Sequence, residues 1–175
     1  MVSRIVLFLI IAFCGLGYGY RVLFSLQAEQ RSKHRIFEKG VPSTFDAVDY
    51  VGDYDGDTFF VGIKNLPAVF GERMPVRVRH IDAAEMKSED ACAKAMALKA
   101  KAVAENLLTA AKTITLTSVG RDKYFRLDAD VILTTIDNKI ISLSDPLLSG
   151  GYVVPYDGET KRKVDWCAML KKLGK

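Results

Sequence analysis

The sequence has few of the residues that mark non-globular or zinc-binding proteins. Of its 175 residues only five are proline, 13 glycine, three cysteine and two histidine. The scarcity of proline and glycine excludes a low-complexity linker protein, and the hydrophobic and charged fractions of 49% and 26% exclude a disordered tail, a collagen and a coiled-coil rod. Neither histidine lies near the two cysteines beyond residue 43, which disfavours a cysteine-rich zinc site. The length fits one globular domain with a short appendage.

An excess of positive charge is also missing from most of the chain. The net charge of +4 lies within residues 1–43, which hold six basic and two acidic residues, whereas residues 44–175 hold 19 of each. Global charge therefore gives no argument that the folded part binds nucleic acid. Such an argument must come from the local arrangement of side chains.

One long apolar stretch lies at the N-terminus. Ile5 to Tyr20 contains no charged residue. As a helix it spans about 24 Å, which is short of a bilayer core of about 30 Å, but Val22–Leu26 extends it if the Arg21 side chain snorkels. We therefore predict an N-terminal apolar helix in residues 1–26 that serves as a membrane anchor or as a signal peptide.

Both alternatives place the following domain outside the cytoplasm. An uncleaved segment anchors the domain to the membrane, whereas cleavage after Gly19 releases a secreted or periplasmic protein. The polar residues 27–43 lack a sustained hydrophobic period and are interpreted as a linker. The folded domain is then expected over residues 44–175.

Hydrophobic periodicity in this domain predicts an α+β fold. Five strands are expected, over Phe45–Val51, Thr58–Ile63, Met74–Ile81, Ile114–Val119 and Ala129–Thr135. Three helices are expected: a long amphipathic helix capped by Ser88 and ending near Ala111, a short helix over Ser144–Gly150, and a basic helix over Lys161–Lys172. Five strands can close into a small barrel. His80 shares a strand face with Val78 and is predicted to be a core residue.

Three polar clusters hold the candidate chemistry. Asp53–Thr58 places carboxylates at a tight turn, where they bind a hard cation such as Ca²⁺ or simply form a hairpin. Arg77–Glu85 combines an arginine that suits phosphate with two carboxylates, or forms ordinary surface ion pairs. Ideal alternation puts Arg77 and Asp82 on opposite faces, so they converge only if the strand bends. Arg121–Arg126 surrounds aromatic residues with basic ones, as in nucleic-acid sites and in many solvated loops.

Together the three clusters resemble the staphylococcal nuclease-like, or thermonuclease, family. The resemblance covers about residues 45–170 and rests on the order and spacing of three motifs. They are D-G-D-T at Asp55–Thr58, V-R-x-x-x-I-D-x-x-E over Val76–Glu85 and D-K-Y-x-R over Asp122–Arg126. The stretch that begins at Gly150 is also similar to the family's ending. The family fold is a five-stranded OB-type β-barrel with three helices, in agreement with the predicted elements.

The resemblance implies a Ca²⁺ site. Its implied ligands are the carboxylates of Asp57 and Asp82 and the backbone carbonyl of Ala83, with Asp55 close to the ion. Oxygen atoms of this kind are the ligands that Ca²⁺ prefers. A dication of this kind helps to neutralise a phosphodiester as its phosphorus becomes five-coordinate.

The resemblance also implies the catalytic and substrate-binding residues. Glu85 matches the general base that removes a proton from the attacking water. Arg77 and Arg126 match the pair that binds the phosphate and its transition state. Lys123 and Tyr124 match positions that line the nucleotide pocket.

At two positions the sequence departs from the family pattern. The usual proline before the glutamate is Ala84, which loosens the loop that holds Glu85. The usual glycine before the second arginine is Phe125. If that turn needs a positive φ, phenylalanine is costly there and displaces Arg126 from the site.

Cys92 and Cys167 are predicted to form a disulfide. Both occupy inward positions on predicted helices, and an exported domain meets an oxidising compartment. Two buried free thiols are the alternative.

The sequence thus predicts an exported or membrane-tethered Ca²⁺-dependent nuclease that acts on DNA and RNA. A non-catalytic OB-fold module that binds nucleic acid at the cell envelope is the main alternative. A third is an envelope protein in which the barrel is only a scaffold. No protein partner is predicted.

Overall fold

The computed structural model describes residues 44–174. In this range the elements are β1 (Asp49–Asp53), β2 (Thr58–Gly62), α1 (Ala68–Gly71), β3 (Met74–Val78), β4 (Ile81–Asp82), α2 (Ala91–Ala110), β5 (Thr113–Arg121), β6 (Leu127–Thr134), β7 (Ile140–Ser142), α3 (Ser144–Ser149), β8 (Val154–Pro155) and α4 (Trp166–Leu173). The predicted apolar helix in residues 1–26 and the linker over 27–43 lie outside the described residues. Within 44–174, no helix has the length and apolar character that a membrane crossing requires.

The α+β class is confirmed, with a mixed sheet as its centre. The strand order is β1-β2-β3-β6-β5, and β7 pairs with β6. β3 and β6 run parallel, whereas the other neighbours in this sheet run antiparallel. β4 and β8 form a separate antiparallel pair.

The described strands do not form the closed five-stranded barrel that the sequence predicts. The outer strands β1 and β5 approach each other through an isolated bridge between Phe45 and Leu116 and a hydrogen bond from Val48 N to Ile114 O of 3.0 Å. Ala47 interrupts this approach because its φ of 52° lies in the left-handed region. The predicted first strand is therefore broken, and a continuous ladder begins only at Asp49.

The main core lies on one face of this sheet. Alternate residues of β6 are buried, as strand periodicity requires: Leu127, Ala129, Val131 and Leu133. The long helix α2 covers this face with a stripe of small residues, among them Ala100 and Ala104. The small side chains allow the helix backbone to lie close to the β1–β2 hairpin, which holds part of the candidate site.

Two helix starts differ from the prediction. Asp90, and not Ser88, caps α2, because its carboxylate accepts hydrogen bonds from the backbone N–H groups of Cys92 and Ala93. The terminal helix α4 begins at Trp166 instead of Lys161, since the Asp165 side chain caps it by accepting from Ala168 N. The segment before Asp165 stays non-helical.

The predicted disulfide between Cys92 and Cys167 is present. It joins the first turn of α2 to the first turn of α4, with the two Cα atoms 4.9 Å apart. A second, smaller core of Ala84, Ala93, Met96 and Ala97 packs with Trp166 and its neighbours on α4. The disulfide and this core together fix α4 against α2.

Candidate functional site

The hairpin between β1 and β2 positions the first pair of carboxylates. Its turn is closed by hydrogen bonds from the backbone N–H groups of Tyr54 and Asp55 to Thr58 O, at 2.9 and 3.2 Å. Asp55 Oδ1 in turn accepts from Asp57 N at 3.0 Å. Gly56 lies against α2 so closely that a Cβ atom there would be 2.5 Å from Ala100 Cβ. The glycine therefore allows the turn to lie directly on the helix.

A bend after β3 brings Arg77 and Asp82 together. β3 ends at Val78, and His80 adopts a φ of 66°, which breaks the strand alternation before β4 begins. As a result Arg77 Nη2 lies 3.4 Å from Asp82 Oδ1. The bend also makes the core prediction for His80 wrong: its side chain is exposed and lies 3.3 Å from Asp130 Oδ1.

Arg77 is buried and held by backbone carbonyls. Its Nη1 donates to Val78 O and its Nη2 donates to Ile81 O, both at 2.6 Å. Nη2 also lies 3.3 Å from Asp57 Oδ2. These contacts fix the guanidinium between the two carboxylates of the hairpin and the bend.

Asp57 links the hairpin to the loop after β4. Its Oδ2 accepts a hydrogen bond from Ala83 N at 2.7 Å, and its Oδ1 accepts one from Thr58 Oγ1 at 2.9 Å. Asp57 and Asp82 are 5% and 7% exposed, so both carboxylates are almost fully removed from water. Buried charges of this kind require nearby cations or hydrogen bonds.

Lys161, which belongs to none of the three motifs, contacts both Asp82 and Glu85. Its Nζ lies 3.0 Å from Asp82 Oδ1 and donates to Glu85 Oε1 at 2.9 Å. Partial burial lowers the pKa of Lys161, but the hydrogen bonds to Glu85 and Asp82 outweigh it and raise the pKa well above its usual value. A basic run at 161–163 was visible in the sequence, yet no spacing rule connects it with Asp82.

The turn between β5 and β6 supplies the third part of the site. Asp122 Oδ2 accepts from Arg126 Nε at 2.7 Å, and Arg126 Nη1 donates to Thr58 Oγ1 at 3.2 Å. Phe125 has a φ of 66°, so this turn does need a positive φ. The expected displacement of Arg126 does not occur, because Asp122 holds its side chain toward Thr58.

The loop that carries Glu85 is held by the packing of Ala84, which stands where the family usually has a proline. Ala84 is only 2% exposed and belongs to the small core with Ala93, Met96 and Ala97. Burial of Ala84 restrains the loop without the rigid ring of a proline. The Glu85 side chain itself is 70% exposed and reaches solvent.

All nine residues predicted for the metal, catalytic and nucleotide-binding roles line one cleft of about 640 Å³. They are Asp55, Asp57, Arg77, Asp82, Ala83, Glu85, Lys123, Tyr124 and Arg126. A neighbouring cleft of about 520 Å³ shares Arg77 and Arg126 with the first. Tyr156, which was also not predicted, lines both clefts and has its ring 5.8 Å from Arg77 Cζ.

The carboxylates that line this cleft outnumber the cations that pair with them. Burial, followed by the adjacent Asp57 carboxylate, raises the pKa of Asp55 to about 7. Within the described residues, Arg77 and Lys161 are the cations in ion-pair distance of Asp57, Asp82 and Glu85. The atoms at this site that can coordinate a metal ion are carboxylate and carbonyl oxygens, which suit a hard dication such as Ca²⁺.

A comparison with protein-family models identifies the family of the chain. The model described as staphylococcal nuclease homologue matches residues 75–171, more than half of the chain, and the chain belongs to this family. The resemblance predicted from the motifs is thereby confirmed. The matched range excludes the hairpin with Asp55 and Asp57, which the structure nevertheless brings to the same cleft. A search of curated proteins gives no match.

Proposed function

We propose that the protein is a Ca²⁺-dependent nuclease that hydrolyses phosphodiester bonds of DNA and RNA. The observation that carries the proposal is the convergence of three distant segments on one cleft. They contribute Asp57, the group from Arg77 to Glu85, and Arg126. A cleft with two arginines, buried carboxylates and an exposed glutamate suits hydrolysis of a phosphate ester.

The two arginines are proposed to bind the phosphate. Carbonyl groups hold Arg77 and the Asp122 carboxylate holds Arg126, so neither guanidinium has to reorganise when charge develops on the substrate. A guanidinium has five N–H donors. Arg77 therefore keeps donors on Nε and Nη1 for phosphate oxygens after Nη1 has bonded to Val78 O and Nη2 to Ile81 O and Asp82 Oδ1.

Glu85 is proposed as the general base. Its exposed carboxylate can accept a proton from a water molecule in the cleft and return it to solvent. The Lys161 ammonium donates to Oε1 at 2.9 Å and holds the Glu85 side chain beside Asp82. Asp57, Asp82 and the Ala83 carbonyl would hold the Ca²⁺ ion, which polarises a phosphoryl oxygen when bound.

The test is a cleavage assay on the full-length protein. Single-stranded and double-stranded DNA and RNA are incubated with Ca²⁺, and parallel samples contain excess chelator. We expect cleavage with Ca²⁺ and its loss with chelator, restored by added Ca²⁺. Undiminished cleavage in chelator would refute the metal dependence.

A non-catalytic nucleic-acid-binding module is the second candidate. It is favoured by the ion pair of Glu85 with Lys161, which engages the proposed base. This candidate predicts binding of nucleic acid without cleavage under any metal condition.

We further propose that the domain is exported. The apolar segment Ile5–Tyr20 after the basic Arg4, and the disulfide between Cys92 and Cys167, support this location. Sequencing of the mature N-terminus distinguishes the two forms: Tyr20 indicates cleavage, and Met1 or Val2 indicates an anchor. A reporter fused after Lys175 that works only in the cytoplasm would contradict export.

A further inference from the structure

Phe125 combines an unfavourable backbone conformation with a solvent-exposed ring. Its φ of 66° lies in the left-handed region, where a bulky residue is an outlier and glycine is free of strain. The residue is 62% exposed, so burial in the core does not offset the strain. A strained, exposed aromatic residue of this kind calls for a functional explanation.

The neighbouring Arg121 holds the ring of Phe125 in place. Arg121 Cζ lies 3.7 Å from the centroid of the Phe125 ring, and Nη1 of the same guanidinium donates to Phe125 O at 3.1 Å. The two contacts stack the planar guanidinium on the ring and restrict both side chains. We call this pair the Arg121–Phe125 platform.

The platform lies next to the proposed active site but not inside it. Among the described residues, Lys123, Tyr124 and Arg126 of the same turn line the two clefts, and neither Arg121 nor Phe125 does. The Cα atoms of Phe125 and Arg126 are about 3.8 Å apart, as in any trans peptide. The platform and the Arg126 side chain that is proposed to bind the phosphate therefore belong to one turn.

Both surfaces of the platform suit a nucleobase. Aromatic rings and guanidinium groups stack on the flat faces of bases, and the positive charge of Arg121 attracts the phosphates beside them. Lys123, whose Nζ lies 5.1 Å from the centroid of the Tyr124 ring, adds a second cation to this turn. Stacking of this kind accepts any base, because every base has such a face.

We propose that the Arg121–Phe125 platform stacks an unpaired base of the substrate, next to the nucleotide whose phosphate is cleaved. The inference rests on the proposed nuclease function, from which the substrate is taken to be a nucleic acid. A base in a duplex is already stacked on its neighbours, so the platform favours single strands and frayed ends. Strands longer than a dinucleotide gain this contact, and a dinucleotide confined to the cleft does not.

The test measures binding by fluorescence anisotropy in excess chelator, where neither metal nor cleavage is needed. The probes are a labelled dT2, a labelled dT12 and a blunt 12-base-pair DNA duplex, and the protein is the full chain. Phe125→Asn removes the ring but keeps a residue type that tolerates a positive φ. We expect this variant to bind dT12 about fivefold to tenfold more weakly, the lower part of the range for base stacking, with the loss confined to dT12.

Two further variants separate stacking from charge. Phe125→Trp restores a ring and is expected to bind dT12 at least as tightly as the parent. Arg121→Gln is expected to weaken binding and to lower the dependence of log Kd on log salt concentration by about 0.7, the value for one phosphate contact on a single strand. Phe125→Asn should leave this salt dependence unchanged.

Phe70→Asn is the matched control, because Phe70 is 47% exposed on α1 and does not line either cleft. This control should bind all three probes as the parent does. The proposal would be overturned if Phe125→Asn lost affinity equally for dT2, dT12 and the duplex, or lost none for dT12. It would also be overturned if the parent bound dT12 no better than dT2. Because these measurements need no turnover, their failure is distinct from a failure of the proposed nuclease activity.

Discussion

Lys161 Nζ lies 3.0 Å from Asp82 Oδ1 and thus places a positive charge at the proposed Ca²⁺ ligand. The same ammonium is 2.9 Å from Glu85 Oε1, so one lysine neutralises a proposed ligand and the proposed base together. A dication that binds Asp82 meets the repulsion of this lysine. Lys161 is therefore expected to weaken the binding of Ca²⁺.

Replacement of this lysine should raise the affinity for Ca²⁺. In Lys161→Gln the repulsion is lost, and a repulsion of about 1 kcal/mol in a water-like dielectric corresponds to about fivefold tighter binding. Titration calorimetry with Ca²⁺ and no nucleic acid measures the change. Lys139→Gln is the control, because Lys139 is also paired with a carboxylate, that of Asp137, outside the cleft. Unchanged or weaker Ca²⁺ binding by Lys161→Gln would refute this role.

Gly56→Ala should destabilise the domain by about 1–3 kcal/mol, the usual cost of overpacking. A Cβ at this position would lie 2.5 Å from Ala100 Cβ, and the helix backbone behind Ala100 cannot move away easily. Urea unfolding of both proteins measures the difference. Gly62→Ala is the matched control, since a Cβ there would meet its neighbours only at 3.6 Å or more. Equal unfolding midpoints for the parent and Gly56→Ala would contradict the close approach of the hairpin to α2.

Asp122→Asn should destabilise the protein more at neutral pH than in acid. Partial burial raises the pKa of Asp122, yet hydrogen bonds from Arg126 and Tyr124 outweigh it and hold the pKa below its usual value. A carboxylate with a lowered pKa stabilises the fold above its unfolded pKa of about 3.9, and this stabilisation is lost as the pH falls through the folded pKa.

Urea unfolding at pH 7 and at pH 2.5 tests this prediction. We expect Asp122→Asn to be less stable than the parent by about 1 kcal/mol at pH 7, the value of a typical hydrogen bond, and the difference to shrink at pH 2.5. A difference of equal size at both pH values would show that the ionised carboxylate is not what stabilises the turn.

Loss of the disulfide should be the most destabilising of these changes. The bond between Cys92 and Cys167 closes a sequence separation of 75 residues, for which chain entropy gives about 4 kcal/mol. Unfolding of the parent with and without a reducing agent measures this contribution, with Cys92→Ser/Cys167→Ser as the control that should not respond. Mass spectrometry of non-reduced peptides establishes the pairing in protein from an oxidising compartment, and two free thiols there would contradict it.

Much of the fold follows from local patterns in the sequence. The alternation in Ala129–Thr135 and the three- and four-residue steps of the long helix predict β6 and α2, because each pattern reflects burial on one side of an element. The barrel prediction fails at Ala47, whose positive φ breaks the first strand. No sequence rule assigns a left-handed conformation to an alanine.

The motifs predict which residues form the candidate site, but they do not predict how these residues come together in space. Strand alternation alone predicts that Arg77 and Asp82 lie on opposite faces of the strand. The bend at His80 brings the two side chains together instead. Lys161 was missed because its contacts with Asp82 and Glu85 span about 80 residues of sequence. Such long-range ion pairs depend on the packing of α4 and on the path of the segment before it.

The rate of phosphodiester cleavage by Glu85→Gln tests whether Glu85 is the general base. Single-turnover cleavage of single-stranded DNA in saturating Ca²⁺ is compared for the parent, Glu85→Gln and Glu89→Gln, an exposed glutamate that does not line the cleft. We predict a loss of about 10²–10⁴-fold in Glu85→Gln, as expected for removal of a general base, and the parent's rate in Glu89→Gln. A Glu85→Gln protein that cleaves at the parent's rate would show that Glu85 is not the general base.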